Sequence, residues 1–145
     1  MKKVLIIIIS ILVVIQFITI DKTNPVVDSS KDFITLTNPP QEIGMMIKSS
    51  CYDCHSHHTK YPWYTNVAPV SWIIKNHIDV GRSHLNFSAW SEYDSRKQNH
   101  QLEECIEVVE NSEMPLIPYT LAHSEANLSD EQRKILVNWF TLIQN

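Results

Sequence analysis

Apolar and polar positions divide the chain into two unequal parts. From Val4 to Ile20 there are 17 residues without a charge, and their apolar side chains cover every face of a helix. Lys2 and Lys3 precede this run and Asp21 ends it. At about 1.5 Å per residue the run reaches about 25 Å, near the lower limit for crossing a bilayer. Residues 1–20 are therefore expected to form one N-terminal transmembrane helix, a membrane anchor or signal segment, with Lys2 and Lys3 on the cytoplasmic side. ITIDKTNPVV offers no small-residue cleavage site, which favours an uncleaved anchor.

Beyond Asp21 the pattern changes. Residues 21–40 are polar, contain prolines and show no helical period, so they are expected to be a linker between membrane and domain. The remaining stretch, 41–145, is expected to be the folded domain. Pro39-Pro40 suits the start of a helix, and Ile43, Met46 and Ile47 then recur at helical spacing through QEIGMMIKSSCYDCH. An aromatic loop follows, punctuated by Pro62 and Pro69. PVSWIIKNHIDVGR predicts a second helix with Val70, Ile73, Ile74 and His77 on one face and Gly81 as its stop. LNFSAW reads as another aromatic loop. A longer helix over 94–112 has Leu102, Cys105, Ile106 and Val109 as its stripe, and MPLIPYT breaks it. Ser129 and Gln132 form a capping box for a last helix whose apolar face includes Leu136, Trp139 and Phe140. No strand pattern appears, and only 2 glycines occur in the chain. The fold class is all-α, with about four helices in the exported part.

Charge narrows the partners. The formal net charge is −4, and it becomes more negative once Lys2 and Lys3 are set aside. No basic face is available for nucleic acid. An acidic surface suits a redox partner protein that docks through a basic patch.

The chemistry concentrates in CYDCHSHH, residues 51–58. The chain has 3 cysteines, and two of them stand here. C-x-x-C-H is the attachment motif for a c-type haem. Two thiols must add to the two vinyl groups on one porphyrin edge, and a helical turn brings positions i and i+3 to one side. Cys51 and Cys54 become the thioethers and His55 the proximal iron ligand. A thioredoxin-like site wants a βαβ setting that this sequence does not offer, and structural zinc wants a second ligand pair. A disulfide between Cys51 and Cys54 closes so small a loop that it stabilises little. Cys105, in its helical stripe, is expected to be a buried, inert thiol.

A second axial ligand is wanted opposite His55. Met45 and Met46 share the helix of the motif, and His57 and His58 follow His55 too closely to cross the ring. Met114 stands in ENSEMPLIPY, a proline-restricted loop that can lay a thioether over an open haem face. His77, on the apolar face of the second helix, is the rival ligand, and an open site is the further alternative. A Met/His pair raises the reduction potential relative to two imidazoles.

CYDCHS, YPWY, VAPVSW, GRSHLNFSAW, EMPLIPYTLAH and LSDEQRKILVNW, in this order, resemble the haem-binding domain family of exported bacterial proteins. The likeness runs over roughly residues 35 to 143. It implies a small cytochrome c-like helical domain with one covalently attached haem c, carried on Cys51, Cys54 and His55 and, less directly, on Met114. Tyr61, Trp63, Tyr64, Trp72 and Trp90 are candidates to wall a porphyrin, with Arg82 as a propionate donor. The second ring nitrogen of His55 is expected to bond a carbonyl in the 61–69 loop. The expected function is electron transfer rather than catalysis, at the inner membrane, single-pass, with the domain on the periplasmic side. The alternative is a haem enzyme or a gas or redox sensor with an open distal site.

Overall fold

The computed structural model describes residues 1–144. Among them there are helices and turns but no strand. The eight α-helices are α1 (Lys2–Val14), α2 (Phe33–Thr37), α3 (Gln41–Ser50), α4 (Tyr52–His55), α5 (Val70–His84), α6 (Ser95–Glu110), α7 (Ile117–Ala122) and α8 (Asp130–Ile143). The all-α expectation stands. The four helices read from periodicity correspond to α3 with α4, α5, α6 and α8. The short α2 and α7 lie below the length at which a 3.6-residue period can be recognised.

The apolar N-terminal run forms α1 and then one tighter turn, Ile15–Phe17. None of its side chains is buried in either element. Among the described residues no helix is long and apolar enough to cross a membrane, so the transmembrane expectation goes beyond what α1 itself supplies. The uncharged run continues to Ile20, but its helix stops at Phe17. At this end the Ile18 carbonyl accepts from the Trp72 indole in place of a helical amide, and the Gln16 side chain pairs with the backbone of Ala68.

The linker expected over 21–40 is in part a piece of the core. Asp32 caps α2 by accepting from the Ile34 amide, and Phe33, in the first turn, is fully buried. Its ring lies 4.9 Å from Phe87, 4.6 Å from Trp90 and 5.8 Å from Trp139. Asn38 closes α2 in the left-handed region with φ 44°. Phe33 stands between Asp32 and Ile34 in a helix of only 5 residues, too short for a period to show which side chain is buried.

α6 and α8 pack along each other, and Leu102, Cys105 and Val109 meet Leu136 and Phe140 in the same apolar cluster. Asp94 caps α6 by accepting from the Lys97 amide, and Ser129 and Gln132 form the expected capping box of α8. The helix with the Pro69 start overruns its expected stop: α5 continues to His84 with Gly81 buried inside it. Gly81 is not a cap. It is a point of contact with α4.

Candidate haem site

α3 ends because Cys51 leaves the helical region, with φ −125° and ψ −39°. The chain re-enters a helix at once, and the amides of Cys54 and His55 both donate to the Cys51 carbonyl, at 3.2 and 2.9 Å. Cys51 and Cys54 are therefore one turn apart, with His55 directly after. Both thiols are free and half-buried. Burial pushes the Cys51 thiol up to about 12 and the Cys54 thiol up to about 11. At neutral pH both are protonated thiols, not thiolates. Cys105 is also free; it is buried, and burial raises its pKa, in keeping with an inert packing role.

His55 is oriented by α5. Its Nδ1 lies 3.0 Å from the Gly81 carbonyl and 3.1 Å from the Leu85 carbonyl. Carbonyls only accept, so Nδ1 carries the proton and Nε2 keeps its lone pair. Among the described residues Nε2 has no hydrogen-bond partner. Burial lowers the pKa of His55 and keeps the ring neutral, although both carbonyls work in the opposite direction. The holding carbonyls thus come from the end of α5, not from the 61–69 loop as expected. The C-terminal end of a helix carries the negative end of the dipole, which suits an N–H donor; the Gly81 carbonyl also accepts from the Leu85 amide at 2.9 Å, so it is shared between the helix cap and His55.

This contact requires α4 and α5 to approach closely. A Cβ built on Gly81 would sit 2.9 Å from the Cys54 carbonyl oxygen and 3.4 Å from its carbon. Only glycine fits at that distance. A glycine inside an otherwise helical pattern was the available signal for it.

The two residues between the cysteines clamp the turn from opposite sides. Tyr52 is buried and donates to Asp32 Oδ1 at 3.0 Å, while its ring stacks on Phe87 at 5.4 Å. Asp53 accepts from the Lys60 amide at 3.1 Å and from the Tyr119 hydroxyl at 2.9 Å. Tyr119 also reaches the Ser49 carbonyl at 3.1 Å, so α7 is bonded to the turn that presents the cysteines. Its ring stacks on His123 at 4.4 Å. His123 in turn pairs through Nε2 with the Tyr64 hydroxyl and through Nδ1 with Glu125 at 3.3 Å. Burial, then Asp53, raises the pKa of Tyr119. Tyr119→Phe removes the hydroxyl from both acceptors and is expected to cost about 1 kcal/mol in denaturant unfolding.

Met114 is half-buried in the loop between α6 and α7. Its amide donates to the Val108 carbonyl at 3.1 Å, and its carbonyl accepts from Arg133 at 2.6 Å. This loop leads straight into α7, so the structure ties it to the motif through Tyr119. His77 is half-buried one turn before Gly81 on α5, the helix that backs His55.

The aromatic residues expected around a porphyrin do not form one group. Trp90 is buried against Phe33, Trp63 is 77% exposed, and Trp72 donates its indole N–H to the Ile18 carbonyl. Arg82 is held by protein acceptors: Ser56 O at 2.7 Å, Asn24 Oδ1 at 2.9 Å and Thr59 Oγ1 at 2.8 Å. That set ties the motif's following loop to the N-terminal segment and leaves Arg82 as a positioning residue rather than a free donor. The histidines after the motif are also structural. His57 lies 3.2 Å from the Val26 carbonyl and 2.9 Å from Asn86 Nδ2, and His58 lies against Tyr52. A cavity of about 360 Å³ between Trp90, Gln98, Leu102 and Ile143 is separate from the motif.

These donors fit a covalently held haem: two unpaired thiols one turn apart, and a neutral imidazole with one nitrogen anchored and the other free. A model of a family described as a haem-binding domain matches residues 10–142 of the chain. That span includes Phe33 and the segment expected to be a linker. No curated protein and no solved structure matches.

Proposed function

The chain belongs to the haem-binding domain family, and from that premise we propose that it carries one haem c, bonded to Cys51 and Cys54 and ligated by His55, and serves as a membrane-attached electron carrier outside the cytoplasm. The observation that carries this reading is the state of His55: Nδ1–H is bonded to the Gly81 carbonyl of α5 and to that of Leu85 just after it, and Nε2 is left for iron. When bound, the haem supplies an iron that alternates between ferric and ferrous. The protein orients the ligand, holds the thiols one turn apart and keeps both on the turn clamped by Tyr52 and Asp53.

The sixth ligand in this proposal is Met114. The Gly81 contact puts α5 on the proximal side, and His77 belongs to that helix. The Met114 loop reaches the motif from α7 instead, with its backbone held by Val108 and Arg133. Met114→Ala is expected to abolish the thioether–iron charge-transfer band of the oxidised spectrum and to open the iron to rapid CO binding. Met114→His is expected to restore six-coordination with a lower reduction potential. If CO binds the unaltered protein as fast as the alanine variant, the iron is open, and the haem enzyme or gas or redox sensor replaces the electron carrier.

Membrane attachment is assigned to α1. Its apolar side chains all face outward, and Lys2 and Lys3 sit at one end. The domain then lies on the periplasmic side, where haem attachment and a basic redox partner protein are to be sought. The deciding test of the cofactor is extraction of matured protein with acid–acetone, followed by a pyridine haemochrome spectrum. Colour retained by the polypeptide, with both vinyl groups saturated, supports the reading; colour lost to the solvent removes it.

A further inference from the structure

The segment between α1 and α2 does not run free of the domain. The Gln16 side-chain amide pairs with both backbone groups of Ala68, donating to its carbonyl and accepting from its amide at 3.0 Å each. The Ile18 carbonyl accepts from the Trp72 indole at 3.0 Å. Lys22 bonds Asn66, and Asn24 donates to the Thr59 carbonyl at 2.8 Å while accepting from Arg82. Residues 16 to 24 are thus tied across the start of α5 and the loop before it. A polar, proline-bearing linker would let the domain wander from the membrane by many ångströms; these bonds hold it at the end of α1.

Several large apolar side chains are exposed around the tie points. Phe17 is 84% exposed and Ile18 57%. Next to their partners stand Trp63 at 77%, Val67 at 41%, Val70 at 43% and Ile73 at 54% exposure. Val67 adjoins Ala68 in sequence, Ile73 adjoins Trp72, and both Ala68 and Trp72 are bonded to the strap. The tie points thus set these exposed apolar side chains beside Phe17 and Ile18 at the end of α1, with the exposed polar residues Gln16, Thr19 and Asn66 among them. An amphipathic tryptophan at such a junction is the residue found where protein meets the headgroup layer.

We infer that the face formed by Trp63, Val67, Val70 and Ile73 rests on the lipid bilayer, so that the haem domain is held in one orientation at the membrane surface and is not suspended on a flexible tether. The inference rests on the reading of α1 as the membrane segment. Its ground is that the four tie points hold these exposed apolar side chains at the end of α1.

The test uses the full haem-loaded chain in vesicles of phosphatidylethanolamine and phosphatidylglycerol. Trp63, Ile73 and, as a remote control, Glu107 are replaced one at a time by photoreactive benzoylphenylalanine. All three side chains are exposed, and an unchanged helical circular dichroism spectrum confirms the fold of each variant. After illumination, lipid adducts are expected at positions 63 and 73 at several-fold the yield at position 107. Yields equal to that of the control, or crosslinks from 63 and 73 to the haem or to the chain itself, overturn the docked face while α1 still carries the protein into the vesicle fraction. Failure to enter the vesicle fraction at all overturns the anchor reading and the docked face together.

Discussion

Gly81→Ala is expected to destabilise the folded protein by about 1–3 kcal/mol, the range for forcing an extra methyl into a packed interior, and to lower the yield of covalently bound haem. The added Cβ would meet the Cys54 carbonyl oxygen at 2.9 Å. That neighbour is backbone, so no side chain can swing away. α4 and α5 must separate, and the two carbonyls that hold His55 Nδ1 recede with α5. The variant is checked by denaturant unfolding and by haem per chain after maturation. Gly44→Ala is the internal control. Gly44 also lies inside a helix, but a Cβ there meets only Pro39 Cγ, at 3.5 Å, which is ordinary contact. Removing a glycine from a helix interior without a clash gains about 0.5–1 kcal/mol. The two glycines of this chain should therefore respond with opposite signs. If Gly81→Ala behaves like Gly44→Ala, the close approach of α4 to α5 is not what orients His55.

Phe33→Ala is expected to cost about 3–5 kcal/mol, the range for emptying a buried aromatic site. That is a large share of the roughly 5–15 kcal/mol by which a domain is stable. Phe33 is fully buried and makes ring contacts with Phe87, Trp90, Trp139 and Phe140. It joins the aromatic turn after α5 to α8, and Phe87 in turn stacks on Tyr52 of the motif. Loss of the ring should lower the unfolding midpoint sharply and loosen the cysteine turn. Val26→Ala, in the same segment but 92% exposed, should stay within about 0.5 kcal/mol of the unaltered protein. Equal effects at both positions would return residues 21–40 to the role of a passive linker.

Haem chemistry was legible without coordinates because it is local. Cys51, Cys54 and His55 fall within one turn of chain, and the family match over residues 10–142 supports the haem that this spacing predicts. The helices α6 and α8 were legible for a similar reason: a buried stripe at a period of 3.6 residues marks each, and the cap of α8 is written in Ser129 and Gln132. α5 was legible as a helix, but it buries Ser71, Ile78 and Gly81, while Val70 and Ile73 of its expected apolar face are exposed. What holds these pieces together is not local. The burial of Phe33, the use of Gly81 as a contact instead of a stop, and the bond from Tyr119 to Asp53 each join residues far apart in the chain. A lone aromatic, a glycine and a tyrosine carry no period that points to their partners.

The strap shows the same limit most sharply. By composition residues 16–20 end an apolar run and 21–24 open a polar linker, and composition alone makes such a linker flexible. Only the fold places Ala68, Trp72, Asn66 and Thr59 where those residues can bond to them. Sequence by itself determined the class of fold and pointed to a haem, since both depend on neighbours along the chain. Tertiary structure decided which carbonyls orient His55 and how the N-terminal helix is joined to the domain, since a hydrogen bond or a close contact depends on distance in space.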